Sequence, residues 1–240
     1  MSYADIDKPS DYFNTVLYTG NAGTLNVTGV GFSPSLVWIK GRGYADSQVL
    51  TDTVRGTTKC LSTDSTTAEF TQTNGLTAFG GDGFTVGNWS AINRASTTVA
   101  WNWKAGTSVS GNTTGSGTAK AYSGSVSTDA GFSIIGYVGN GTANHTLPHH
   151  LGVVPKMLII KNRTSSGYEW SIYHHTLGNQ KRMFLNDTSA VGSSNAYWNN
   201  TSPTSSVINL GGGGAVNENN SNMIAYCFAE KQGYSKFGSY

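Results

Sequence analysis

Charge is scarce in this 240-residue chain: only 12% of residues are Asp, Glu, Lys or Arg, about half the usual share. The net charge of +2 comes from scattered Lys and Arg with no basic stripe, which argues against nucleic acid as a partner. Long apolar runs are missing too. None approaches the roughly 20 residues of a membrane span, and no signal peptide is expected ahead of Met1-Ser2-Tyr3-Ala4-Asp5. Cysteine is nearly absent. Cys60 and Cys227 fall at non-equivalent places, so no disulfide is expected and a reducing compartment of synthesis fits. Asn-x-Ser/Thr triplets at Asn26, Asn88, Asn144 and Asn162 read as chance in so Asn- and Thr-rich a chain.

What is abundant is Gly, with 31 residues, alongside Ser, Thr and Asn, and 11% aromatics. That mixture is poor in helix formers. It favours short strands, frequent turns and a surface of hydroxyls and amides, with enough aromatics for cores.

The chain repeats itself. Phe13-Asn14-Thr15-Val16-Leu17-Tyr18-Thr19-Gly20-Asn21 is answered by Phe132-Ser133-Ile134-Ile135-Gly136-Tyr137-Val138-Gly139-Asn140. Pro34-Ser35-Leu36-Val37-Trp38-Ile39-Lys40-Gly41-Arg42 is answered by Pro155-Lys156-Met157-Leu158-Ile159-Ile160-Lys161-Asn162-Arg163. Each unit closes on a hydrophobic alternation, Val99 to Trp103 and Ile224 to Phe228, and Gly233 to Tyr240 echoes the segment from Gly131 to Tyr137. A period near 120 residues is domain-sized, well above a solenoid unit.

Period-two alternation and short apolar runs predict strands at 15–19, 24–30, 36–39, 49–54, 59–62, 84–86 and 97–103. The second unit replays them at 132–138, 144–147, 157–161, 169–174, 181–185, 207–210 and 222–228, with a further strand inside 119–127. No segment keeps helical periodicity beyond one turn. The expected fold is all-β: two tandem antiparallel β-sandwich domains of jelly-roll type. The boundaries are an extended N-terminal arm over 1–12, domain 1 over 13–104, a Gly/Ser/Thr linker over 105–118, and domain 2 over 119–240 with a strand-like tail. Gly211 to Gly214 reads as a mobile loop rather than a phosphate cradle, since no helix is expected after it.

Candidate chemistry is sparse. All five histidines (His145, His149, His150, His174 and His175) lie in the second repeat. No Cys or carboxylate cluster joins them, and adjacent strand residues face opposite ways, so polar strand or interface roles are expected and no metal. Glu69, Asp82, Glu169, Glu218 and Glu230 share no motif that would flank a glycosidic bond. Asp64 and Asp187 sit in Ser/Thr-rich turns, where Asp caps its own backbone. No nucleophile elbow or Cys/His signature is present, so neither an enzyme nor a cofactor is expected. Trp38, Trp101 and Trp103 read as strand residues of a core. Trp89, Tyr197 and Trp198 fall in expected loops, where packing, a subunit interface and glycan contact all remain open. Lys40 and Lys161, each two residues before an Arg, read as strand-exit charges that pair with a nearby carboxylate.

Four phrases occur in a fixed order: Pro34 to Arg42, Asp52-Thr53-Val54-Arg55-Gly56-Thr57-Thr58-Lys59, Asp82-Gly83-Phe84-Thr85-Val86-Gly87, and Val99-Ala100-Trp101-Asn102-Trp103-Lys104-Ala105-Gly106. In this order the first unit resembles a module of tailed-phage virion structural proteins, of the kind found in marine and cyanobacterial phages and built from repeated concanavalin-like sandwiches. The second unit resembles the next module, but His175-Thr176-Leu177-Gly178 stands where the first has Asp52 to Gly56. The resemblance implies residence in the virion and work through protein–protein contacts as a capsid decoration, fibre or tail component, with homo-oligomers expected. It transfers no catalytic residue. The alternative expectation is a carbohydrate-binding module for host recognition.

Overall fold

The computed structural model describes residues 4–239. The protein is all-β, with 42% of residues in strands and 6% in helices, and every paired strand runs antiparallel. Two compact units are present. The N-terminal unit holds residues 8–65 and Glu69–Ala105; the C-terminal unit holds residues 4–7, Thr66–Ala68 and 106–239.

The N-terminal unit contains β1 (Phe13–Thr19), β2 (Leu25–Thr28), β3 (Leu36–Gly41), β4 (Val49–Asp52), β5 (Lys59–Ser62), β6 (Phe70–Thr71), β7 (Leu76–Gly80), β8 (Gly83–Val86), the one-turn helix α1 (Ser90–Asn93) and β9 (Thr97–Trp103). One sheet runs β1-β9-β3-β4-β5-β6 and the other β2-β8-β7. Central β3 buries one face and half-covers Trp38 on the other, which is why it reads as an unbroken apolar run rather than an alternation. A single core draws on both sheets: Val37, Ile39 and Ala100 of the larger meet Val27, Phe84 and Val86 of the smaller, and Ile92 of α1 closes it.

The C-terminal unit contains β10 (Thr107–Asn112), β11 (Thr114–Gly115), β12 (Ala121–Ser127), β13 (Phe132–Val138), β14 (His145–Pro148), β15 (Met157–Asn162), β16 (Ser171–His174), β17 (Lys181–Phe184), β18 (Gly192–Ser193), α2 (Asn195–Trp198), β19 (Val207–Leu210), α3 (Gly214–Asn217) and β20 (Asn222–Phe228). Its sheets run β10-β12-β13-β20-β15-β16-β17-β18 and β11-β14-β19. Its core again takes residues from both, including Ile135, Leu158, Ala225, Leu147 and Ile208.

The sequence repeat is a structural repeat down to single bonds. The order β1-β9-β3-β4-β5-β6 is matched by β13-β20-β15-β16-β17-β18. The Tyr18 hydroxyl donates to Ile92 O at 2.6 Å in α1, and the Tyr137 hydroxyl to Val216 O at 2.5 Å in α3. Asn93 Oδ1 accepts from Asn21 N while its Nδ2 donates to Gly23 O and Gly87 O. Asn217 repeats the pattern with Asn140 N, Thr142 O and Gly211 O. Gly20 and Gly139 are required beside these latches, because a Cβ there would lie 2.0 Å from Arg94 O and 2.3 Å from Glu218 O. Each buried Asn thus satisfies three backbone groups that are buried or part-buried. Asn93→Ala and Asn217→Ala are each expected to destabilise their own unit by about 2–3 kcal/mol, read by urea unfolding.

Several expectations about organisation are corrected. The expected linker contains β10 and β11, and β10 pairs with β12 from Thr107↔Val126 to Asn112↔Ala121. An edge strand exposed on most of its surface needs only Val109 to reach the core, so its composition stays that of a linker. The expected arm is not extended as a whole: Pro9–Asp11 forms a 3-10 turn, and Asp5 N and Ile6 N both donate to Gln232 O. A helix does follow the glycine run, since Gly214 begins α3, and Gly211 packs against the Ala196 backbone. That helix is a single turn. The tail makes only the Lys231↔Ser235 bridge and no strand among the described residues; Lys236-Phe237 stands where β13 has Ile134-Ile135. Tyr240 lies outside the described residues.

Candidate functional site

The feature that distinguishes the two repeats is the edge of the larger sheet. In the C-terminal unit β13 has β20 on one side and β12 then β10 on the other, and six of its seven residues are buried. Its counterpart β1 has β9 on one side and, among the described residues, no strand on the other, and none of its residues is fully buried. Leu17 at its middle is 62% exposed. The β1–β9 ladder continues past both ends, with Lys104 N donating to Tyr12 O and Gly20 N to Ser96 O. Even-numbered residues therefore bond β9, and the backbone groups of Thr15, Leu17 and Thr19 point outward. Asn14 Oδ1 accepts from Thr15 N at 3.0 Å, which leaves Leu17 and Thr19 as the outward donors along this stretch. A groove of about 220 Å³, lined by Leu17, Tyr18, Thr19, Arg42, Thr97 and Thr98, lies across the end of the β1–β9 pair and the exit of β3.

Natural sheets guard such edges with charge, proline or brevity. The opposite ends of both large sheets follow the rule, with two-residue strands β6 and β18. The seven residues of β1 include no charge and no proline. An edge of this kind is chemically suited to accept another strand.

The aromatic candidates divide. Trp198, on α2, is 1% exposed. It packs edge-on to Tyr173 at 5.7 Å between ring centroids, and its Nε1 donates to Lys181 O at 2.9 Å. It is a core residue, so its expected place in a loop and any contact with a glycan or partner are corrected. Its neighbour Tyr197 is half-buried and meets Phe184, with the Arg182 guanidinium over both rings at 5.4 and 4.3 Å. Trp89 precedes α1, is half-buried against the N-terminal core and stands edge-on to Phe70 at 5.8 Å. The structure places Tyr197 and Trp198 side by side and Trp89 in the other unit.

The ionisable groups are mostly engaged in holding loops. Asp52 and Arg55 form a fully buried pair, Nε to Oδ2 at 2.6 Å, and the Arg55 guanidinium also reaches Leu50 O, Lys59 O and Glu69. Glu218 accepts from Ser165, Ser221, Asn162 and Tyr168, and the hydroxyls and amide hold its carboxyl down at about 2. Asp82 accepts from Gly31 N and Gly29 N, which lower its pKa. Asp187 caps Ser189 as expected, whereas Asp64 accepts from Gln48 N. Lys161 is buried. Desolvation brings it down to about 8, and its Nζ donates to Tyr168 O and Thr66 O rather than to the carboxylate that was expected. Lys40 likewise donates to a carbonyl, Asp46 O. Both cysteines are buried and free; burial pushes Cys227 up to about 12, which leaves it inert as a nucleophile near neutral pH.

Among the described residues no three His, Cys, Asp or Glu side chains converge as a metal site, and no helix is long and apolar enough to cross a membrane. The histidines serve the fold. His149 Nδ1 accepts from Leu151 N, which places the proton on Nε2 facing Thr204 O. Burial lowers its pKa, and that of His145, below the free value. A folded-state pKa below the unfolded one means stability is complete above about pH 6.5 and is lost as pH falls through the folded values. The C-terminal unit is expected to melt at lower temperature at pH 5 than at pH 7.5, and His149→Gln to reduce that difference; scanning calorimetry at the two pH values checks it.

A family profile described as a domain of unknown function (DUF7483) matches residues 8–240. The chain belongs to this family. No curated protein and no solved structure matches it. The match spans residues of both units.

Four features escaped sequence reasoning: the open β1 edge, the Asn93 and Asn217 latches, the buried Asp52–Arg55 pair and the Glu218 cluster. Only the latches had a readable signal, in Ala91-Ile92-Asn93 and Ala215-Val216-Asn217.

Proposed function

We propose that this protein is a non-enzymatic structural component of a tailed-phage particle, a capsid decoration, fibre or tail-associated protein, and that its units are tandem concanavalin-like sandwiches. It works by protein–protein contact. The observation that carries this reading is the seven-residue, uncharged, open edge of β1 with Leu17 exposed at its centre. Such an edge is a hazard to a protein that must stay alone and an asset to one that assembles. Low charge density supports the same reading, because many copies can pack closely with little repulsion. The carboxylates also fit a structural role, as Asp52, Asp82 and Glu218 are all bonded to loops.

Gold-labelled antibody against the chain, viewed on intact particles by electron microscopy, tests the assignment. Label at a defined site on head, tail or fibre is the expected outcome; label confined to lysed-cell debris would remove the reading. The carbohydrate-binding alternative now rests on the half-buried Phe184–Tyr197 pair under Arg182. Host polysaccharide that binds the wild type but not Tyr197→Ala would favour it.

A further inference from the structure

We infer that the open edge of β1 takes up the edge of β10 from a second copy of this chain, so that copies join head to tail through a continuous sheet. The inference rests on the reading that the chain works through protein contacts, and it names the partner. The protein itself shows what a strand laid on this edge looks like. In the C-terminal unit the equivalent strand β13 carries β12, in register from Tyr122↔Tyr137 to Ser127↔Phe132. That occupant is uncharged and, after Tyr122, small: Ser123-Gly124-Ser125-Val126-Ser127. Gly124 is needed for the fit, since a Cβ there would meet Ile134 O at 2.5 Å.

Among the described residues one other strand has this chemistry and a free edge. β10 ends the eight-stranded sheet, and its Ser108-Val109-Ser110-Gly111 combines the same residue types, with a valine between serines and a glycine two residues away. Its outward groups can be assigned. Thr113 N donates to Lys120 O, continuing the pairing with β12, so odd-numbered residues bond β12 and Ser108, Ser110 and Asn112 present their backbone outward. The two free edges match in length, at seven and six residues, and neither carries charge or proline. Within one chain β1 and β10 belong to different sheets and do not pair. A β1-to-β10 contact uses two different surfaces, so it is heterologous and propagates into rings or filaments.

Proline placed at an outward position removes one edge donor and leaves the inner ladder intact. Leu17→Pro blocks β1, and Ser110→Pro blocks β10. Sedimentation at up to about 0.3 mM suits a contact built on one strand pair, which buries less than a standard interface. The wild type is expected to grow in mass with concentration. Each variant alone should associate about tenfold more weakly or worse, since an edge hydrogen bond is lost and the approach is blocked. An equimolar mixture of the two should form one-to-one dimers and nothing larger, because one good edge of each kind remains.

A wild type that stays monomeric overturns the inference. So does a Ser110→Pro protein that assembles like wild type, which would indicate β1 pairing with β1, and so does a mixture that fails to form dimers. Should circular dichroism show that a proline variant is unfolded, Leu17→Lys and Ser110→Lys replace it with the same expectations. A monomeric protein that is nevertheless found in the particle would sink this pairing and leave the proposed function standing; an assembling protein absent from the particle would do the reverse.

Discussion

Asp52→Ala is expected to destabilise the N-terminal unit by about 3–5 kcal/mol, the cost of leaving a buried charge without its partner. Both side chains of the Asp52–Arg55 pair are fully buried. The carboxylate also accepts from Val54 N at 3.0 Å and Arg55 N at 2.9 Å, so its removal strands two backbone donors along with the guanidinium. Glu69, 3.3 Å from Arg55 Nη1, offsets part of the loss. Replacing both members, Asp52→Ala with Arg55→Met, should recover much of the stability, because an apolar pair carries no desolvation cost. The C-terminal repeat supports this. There the same turn, with Gly178 N bonded to His174 O as Gly56 N is to Asp52 O, forms without any ion pair. His174 Nδ1 makes only exposed bonds, with the Thr176 hydroxyl at 2.8 Å and loosely with Thr176 N at 3.4 Å, so His174→Ala should cost well under 1 kcal/mol. Urea unfolding of the three variants checks the order; equal losses for Asp52→Ala and His174→Ala would contradict it.

Trp198→Ala should be comparably severe, about 3–5 kcal/mol, because it empties a large site in the C-terminal core and leaves Lys181 O without its donor. Tyr197→Ala removes a half-buried ring from the surface side of that core and should cost much less. The contrast matters for binding experiments. Lost binding in Trp198→Ala would report a damaged unit, whereas lost binding in Tyr197→Ala with an unchanged melting curve would report a contact. A Trp198→Ala protein as stable as wild type would show that the ring is not core.

Most of the fold was legible because the strands that build the cores alternate or run apolar. β5, β9, β13, β19 and β20 occupy the residues that patterning predicts, and several other core strands differ by a few residues at their ends. The strands that were missed bury little. β6 and β18 have two residues each, and β7 buries only Leu76 and carries a bulge before Ala78. β10 shows a polar composition because solvent covers most of it. Trp198 was misplaced because the Asn-rich stretch after it resembles a loop. Ser194, whose Oγ accepts from Ala196 N, was the helix-start signal that places Tyr197 and Trp198 on α2 instead. The candidate edge was not legible at all. β1 and β13 have similar patterns, and what separates them is whether the preceding segment folds back as β12 or turns away, which the strand's own residues do not encode.

The repeat therefore does more than count units: it provides a filled edge against which an empty one can be recognised. We propose that this protein is a built-in part of a particle. Quantitative mass spectrometry of gradient-purified particles, produced by the genome that encodes the chain, tests it most directly. The account predicts a fixed copy number per particle that survives high-salt washing. Trace amounts that fall with each wash, or no peptide at all, would contradict it.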